Sequence, residues 1–137
     1  MKKRNIANSA ALAVGCLLLS CLLPVAGPAH AADECAQLVG TIGQERDLIT
    51  RRDKLIQAVK QCPKNADLNY MFGYSLERLR KYDEAVKYYL AATEANPKYA
   101  KAYFSLGDIY LSQDETASAV KAYEKGLKLE PGNERAK

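Results

Sequence analysis

The 137-residue sequence predicts an all-α fold in which antiparallel helix pairs stack one after another, and three observations carry that expectation. Ala66-Asp67-Leu68-Asn69-Tyr70-Met71-Phe72-Gly73 realigns with Ala100-Lys101-Ala102-Tyr103-Phe104-Ser105-Leu106-Gly107 at an offset of 34, and the offset persists: Ala85 falls on Ala119, Tyr89 on Tyr123 and Pro97 on Pro131. Within each unit the apolar residues recur at three- and four-residue intervals, over stretches too long for strands. Asn96-Pro97 and Glu130-Pro131-Gly132-Asn133 then interrupt the pattern at the same phase, because proline cannot continue a helix.

Residues 1–31 read as a secretory signal. Lys2, Lys3 and Arg4 give a cationic start, an apolar run extends from Ala10 to Leu23, and Ala29-His30-Ala31 supplies the small residues of a cleavage site, with cleavage expected after Ala31. The expected location is therefore the periplasm. Leu18-Leu19-Ser20-Cys21 resembles a bacterial lipobox, which would make Cys21 an acylated mature N-terminus and the protein a membrane-anchored lipoprotein. Against this, Leu22, Leu23 and Val25 prolong the apolar run, and Cys16 and Cys21 then serve as small apolar fillers of the signal. Three of the 20 basic residues and none of the 16 acidic ones lie in this leader, so 17 basic residues face 16 acidic ones behind it. No basic face remains for nucleic acid.

One period before Ala66, residues 32–65 form a weaker unit. Leu38 and Ile42 keep the helical spacing, Ala58 and Pro63 match, and Leu55 takes the place of Tyr89. Val39 replaces the glycine, Arg51 replaces the small alanine, and Gly40 and Gly43 weaken the first helix. The expectation is a degenerate N-terminal cap, since terminal repeats of stacked arrays are commonly atypical. In an antiparallel helix pair the start of the first helix lies beside the end of the second, which places Cys35 and Cys62 to meet. An even pair of cysteines in an oxidising compartment is read first as a disulfide. Closing a loop of about 28 residues would contribute roughly 3–4 kcal/mol by loop-closure entropy.

The next two units, 66–99 and 100–133, predict helices near 67–79, 83–95, 101–112 and 115–129. Phe72 with Leu76, and Leu106 with Tyr110, share a face four residues apart. Gly73 and Gly107 sit where a first helix crosses its partner, opposite the small Ala85 and Ala119, so the two helices approach closely. Tyr89 and Tyr123 fill the space beyond. A glycine inside a helix costs up to about 1 kcal/mol, so two at corresponding sites signal packing.

Together these residues resemble the tetratricopeptide repeat (TPR), whose period is 34. Asn69, where an aromatic residue is usual, and Gly126, where alanine is usual, depart from the pattern. The resemblance implies a right-handed superhelical α-solenoid whose first helices line a concave groove. It implies a scaffold or adaptor that binds a protein or peptide there, with an envelope-attached lipoprotein or assembly factor, or a holdase for an exported apoprotein, as the alternatives. Groove positions carried over from the family are Tyr70, Tyr74, Glu77 and Arg78 in one unit and Lys101, Phe104, Asp108 and Leu111 in the next. The aromatic ones offer contact area, and Lys101 and Asp108 would set polar register. Tyr70 and Tyr74 stand where the family's carboxylate clamp for chaperone tails needs Lys and Asn, so that clamp is not expected. Tyr82, Tyr88, Tyr99 and Tyr110 read as ordinary packing or surface residues.

Nothing points to catalysis. The sole histidine, His30, belongs to the leader, two cysteines do not complete a zinc site, and no phosphate-binding glycine loop is present. Asp83-Glu84 and Asp114-Glu115 lie at helix starts, where the helix dipole favours acidic groups. No enzyme activity, cofactor or metal is expected. Residues 134–137 are too short for the extra helix that usually covers the last repeat. Val120, Tyr123 and Leu127 are thus expected to form an apolar strip suited to self-association.

Overall fold

The computed structural model describes residues 28–134. The leader up to residue 27, with Cys16 and Cys21, and residues 135–137 lie outside the described residues. Among the described residues six helices follow one another: α1 Pro28–Gly43, α2 Leu48–Gln61, α3 Ala66–Arg78, α4 Tyr82–Ala95, α5 Ala100–Ser112 and α6 Thr116–Leu129. They form three pairs, α1/α2, α3/α4 and α5/α6, and α2 packs on α3 as α4 packs on α5. Residues 28–31 of the expected leader begin α1. No helix among the described residues is long and apolar enough to cross a membrane.

The repeat fixes the ends of the helices. The second helices end at Cys62, Asn96 and Glu130, each donating its N–H to the carbonyl four residues back (Ala58, Ala92, Gly126), and proline follows each time. Inside each of the two regular pairs the chain turns by one device. Lys81 N–H reaches Leu76 O at 2.9 Å and Glu115 N–H reaches Tyr110 O at 2.8 Å, the six-to-one bond of a Schellman motif. The residue before each donor is left-handed, Arg80 at φ 60° and Asp114 at φ 62°. Asp47 and Asn65 cap α2 and α3 by accepting from Thr50 N–H and Leu68 N–H.

The core runs along the axis of the array through Leu55, Leu68, Phe72, Leu76, Tyr89, Leu106 and Ile109. Gly73 and Gly107 act as expected of a close crossing: a Cβ at Gly73 would lie 2.8 Å from the Tyr89 ring, and one at Gly107 2.5 Å from the Tyr123 ring. Ala85 and Ala119 are fully buried opposite them. Adjacent pairs are tied at opposite ends, by Tyr99 Oη donating to Asp67 (2.7 Å) and by Gln113 Nε2 donating to Asp83 (3.0 Å).

The first pair is looser. α1 packs more sparsely on α2 than α3 does on α4. Arg51, at the position of Ala85 and Ala119, is half-buried with its Nε buried and unpartnered among the described residues. A bound sulfur pair offsets this: Cys35 and Cys62 form a disulfide with Cα atoms 6.0 Å apart. Asn69, one of the two departures from the repeat pattern, is buried and donates from Nδ2 to Pro63 O and Asn65 O, both at 2.8 Å. It therefore fastens α3 to the loop that carries Cys62.

Candidate functional site

On α3, Asp67, Tyr70, Tyr74 and Glu77 fall three and four residues apart, and on α5 Lys101, Phe104, Asp108 and Leu111 do the same. Each set therefore forms one stripe along its helix. Tyr74 (38% exposed) and Leu111 (54%) stand open, Arg78 and Lys101 are exposed, and Tyr70, Glu77 and Asp108 are half-buried.

Phe104 does not belong to the open surface. It is 1% exposed, and its ring lies where a Cβ on Gly126 would sit, 2.8 Å from that point. The expectation that Phe104 presents an aromatic face to the groove is corrected on that ground. The glycine that breaks the pattern at position 126 makes room for the ring to sink between α5 and α6. At the corresponding place in the preceding unit stands Ala92, and Tyr70 stays half-buried. Its ring is tilted against Tyr89 (centroids 5.5 Å apart) and Tyr99 (5.2 Å).

The carboxylates of the stripes are each held by a tyrosine. Glu77 accepts from Tyr89 Oη at 2.5 Å, Asp108 from Tyr123 Oη at 2.7 Å, and Asp67 from Tyr99 Oη at 2.7 Å. Tyr89 and Tyr123 occupy the same position of the repeat, yet their acceptors do not. Glu77 lies one helical turn further along α3 than the residue matching Asp108, which is Tyr74. The hydroxyl thus finds a carboxylate on whichever turn carries one. Burial, then the bond to Glu77 and its charge, push the Tyr89 hydroxyl far above the usual phenol range; burial and Asp67 do the same to Tyr99. Tyr110 is raised by burial and by the nearby charge of Glu115.

Tyr99 was missed as a part of this site. It connects the α4–α5 loop to the start of α3, and a cleft of about 290 Å³ opens beside it, lined by Asp67, Lys98 and Lys101 among others. Its spacing of 32 from Asp67, close to one repeat, was the available signal. The apolar strip on α6 is discontinuous. Val120 is 48% exposed, but Tyr123 is committed to Gly107 and Asp108, and Leu127 is half-buried. Among the described residues no cluster of His, Cys, Asp or Glu is arranged to hold a metal.

Residues 70–134 match the tetratricopeptide repeat family model. The Hsp70-Hsp90 organizing protein of Triticum aestivum is 36% identical over 80 residues, which are 58% of this chain and 14% of that protein. Among solved structures, MamA superposes with a TM-score of 0.68 at 27% identity, covering 81% of this chain and 64% of that one. The first TPR of Spaghetti (RPAP3), solved bound to an HSP90 peptide SRMEEVD, gives 0.67 at 24% identity, covering 77% and 84%. The chain thus spans a small part of its curated relative, and what it shares with all three is the repeat array. With the 34-residue period, the helix pairs and the family match in agreement, residues 70–134 of this chain are identified as tetratricopeptide repeats.

Proposed function

We propose that this protein is a periplasmic adaptor that holds an extended or helical segment of a partner protein against the α3 and α5 stripes. The observation that carries the reading is the pair of side chains Tyr74 and Leu111, left open on stripes whose carboxylates Glu77 and Asp108 are anchored by tyrosine hydroxyls. Rigid positions flanked by open apolar area are what a binding surface needs, because little side-chain entropy is lost on contact. The name of the wheat relative, an organizer of Hsp70 and Hsp90, supports a role in bringing proteins together. Tyr70, Tyr74, Glu77, Arg78, Lys101, Asp108 and Leu111 are the contact residues, and Phe104 supports them from within. The periplasmic location rests on the leader sequence alone.

Photo-crosslinking from a probe at position 74 in intact cells, followed by identification of the linked protein, tests the reading. A discrete partner lost on Leu111→Ala supports it. Crosslinks indistinguishable from those of a probe on the far side, at position 87, would remove it. Cell fractionation with sequencing of the mature N-terminus tests the location: Ala32 at the start fits export and cleavage, and a lipidated Cys21 fits the anchored alternative.

A further inference from the structure

We infer that a cleft outside the groove, between α4, α5 and α6, takes up an aromatic side chain of a partner segment that carries carboxylates beside the ring. Leu90 of α4, Tyr103, Leu106 and Tyr110 of α5 and Ala122 of α6 line an opening of about 230 Å³. On α5 these residues fall three and four apart, on a stripe separate from that of Lys101, Phe104, Asp108 and Leu111. The site therefore stands or falls independently of the groove.

One period earlier the corresponding place carries a ring of the protein's own. Tyr88 stands at the position of Ala122, and its ring lies on Phe72, the match of Leu106, with centroids 4.3 Å apart. Tyr88 and Ile56, the match of Leu90, are partly buried against the core, whereas Leu90 stands 47% exposed. Ala122 thus withholds the side chain that packs into this seam in the unit before and leaves the apolar walls in place. A tyrosine or phenylalanine from a partner would repeat the contact that Tyr88 makes internally and cover Leu90.

The rim of the cleft is cationic. Lys121 and Lys125 line it one helical turn apart, and neither makes an ion pair among the described residues. Lys125 Nζ lies 5.5 Å from the centre of the Tyr103 ring. Among the described residues no carboxylate lines the cleft. Glu124 falls on the neighbouring stripe of α6, Glu94 lines a separate cleft with Pro63 and Lys64, and Glu115 stands ahead of α6, where its charge acts on Tyr110. A carboxylate next to the incoming ring meets the two ammonium groups, which favours an acidic segment over a neutral one.

The test follows NMR amide shifts of the full disulfide-bonded protein titrated with the short capped peptides SEFES, SQFQS and SEAES. SEFES should shift the amides of Leu90, Tyr103, Leu106 and Ala122 and reach saturation. SQFQS should bind about tenfold more weakly, and SEAES should leave these signals in place. Ala122→Tyr rebuilds the internal ring, so its melting temperature should hold while the SEFES shifts at the cleft disappear. Lys121→Gln/Lys125→Gln, at exposed positions, should fold and bind SEFES at the SQFQS level. Shifts confined to other surfaces, equal binding of SEAES or SQFQS, or unchanged SEFES binding by a folded Ala122→Tyr overturns the inference. If Ala122→Tyr does not fold, full SEFES affinity in the lysine variant overturns it. Cleft signals that move with protein concentration alone would mark a second copy as the occupant and overturn it too.

Discussion

A glycine and a tyrosine at Gly73 and Tyr89 behave as one unit, and so do Gly107 and Tyr123. The ring lies on a bare Cα, and its hydroxyl is tied down on the far side by Glu77 or Asp108, so it has no room to retreat. Gly73→Ala would gain about 1 kcal/mol of helix propensity but push a methyl into that ring, an overpacking cost of about 1–3 kcal/mol. The expected outcome is a net loss near 1 kcal/mol in urea unfolding, recovered in Gly73→Ala/Tyr89→Leu. The α1/α2 pair already carries this exchange as Val39 and Leu55. A second consequence concerns alkali. Unfolded tyrosines lose their protons near pH 10, and in the fold Tyr89 and Tyr99 keep theirs to higher pH. Above pH 10 the folded state then binds more protons than the unfolded one, so stability should be full below that pH and fall as pH rises past it. Urea midpoints measured across this range should show the decline, and it should be shallower in Tyr99→Phe. The glycines and small alanines were legible as packing devices because they recur at a fixed interval. The fate of Phe104 was not. Its column also holds Tyr70, and only the void above Gly126, a departure already visible in the sequence, separates a sunken ring from an open one.

The four helices of the regular units, α3 to α6, were readable to within about a residue, since the proline after each second helix and the regular period mark their ends. What escaped was the corner between the helices of each pair. Arg80 and Asp114 hold left-handed backbone with no glycine to announce it, and the αL region costs a residue with a Cβ about 1–2 kcal/mol. Arg80→Gly and Asp114→Gly should each stabilise the fold by about 0.5–1 kcal/mol, the relief being partly offset by the greater freedom of glycine in the unfolded chain. Denaturant midpoints of the two single variants and the double would show whether the gains add, as separated sites should. Asn69 is the other case in which a local departure has a local cause. An aromatic ring there would forfeit the bonds to Pro63 O and Asn65 O that hold the α2–α3 loop on α3.

Across the whole array stability is uneven. α3 to α6 share a continuous core, whereas among the described residues α1 contributes one buried side chain, Ile42, and packs sparsely on an α2 whose half-buried Arg51 leaves its Nε without a partner. The cross-link from Cys35 to Cys62 offsets that weakness. Reduction should cost about 3–4 kcal/mol by loop-closure entropy, felt first in α1. Hydrogen exchange should then show α1 amides losing protection while those of α5 keep theirs. The array and its cap were visible in the sequence because repetition is a long-range signal written locally. The groove was visible only in outline, because which side chain faces outward depends on neighbours a whole period away, as with Tyr99 reaching Asp67.

The same sulfur bridge changes how the molecule would carry tension. A pull on the chain ahead of Cys35 passes through the bridge to Cys62 and on to Pro63, which Asn69 grips from α3. The 27-residue span between the cysteines is shielded, so stretching yields about 90 Å less contour than the residue count suggests. Load reaches the well-packed helices directly, and the loosely packed segment between the two cysteines does not bear it.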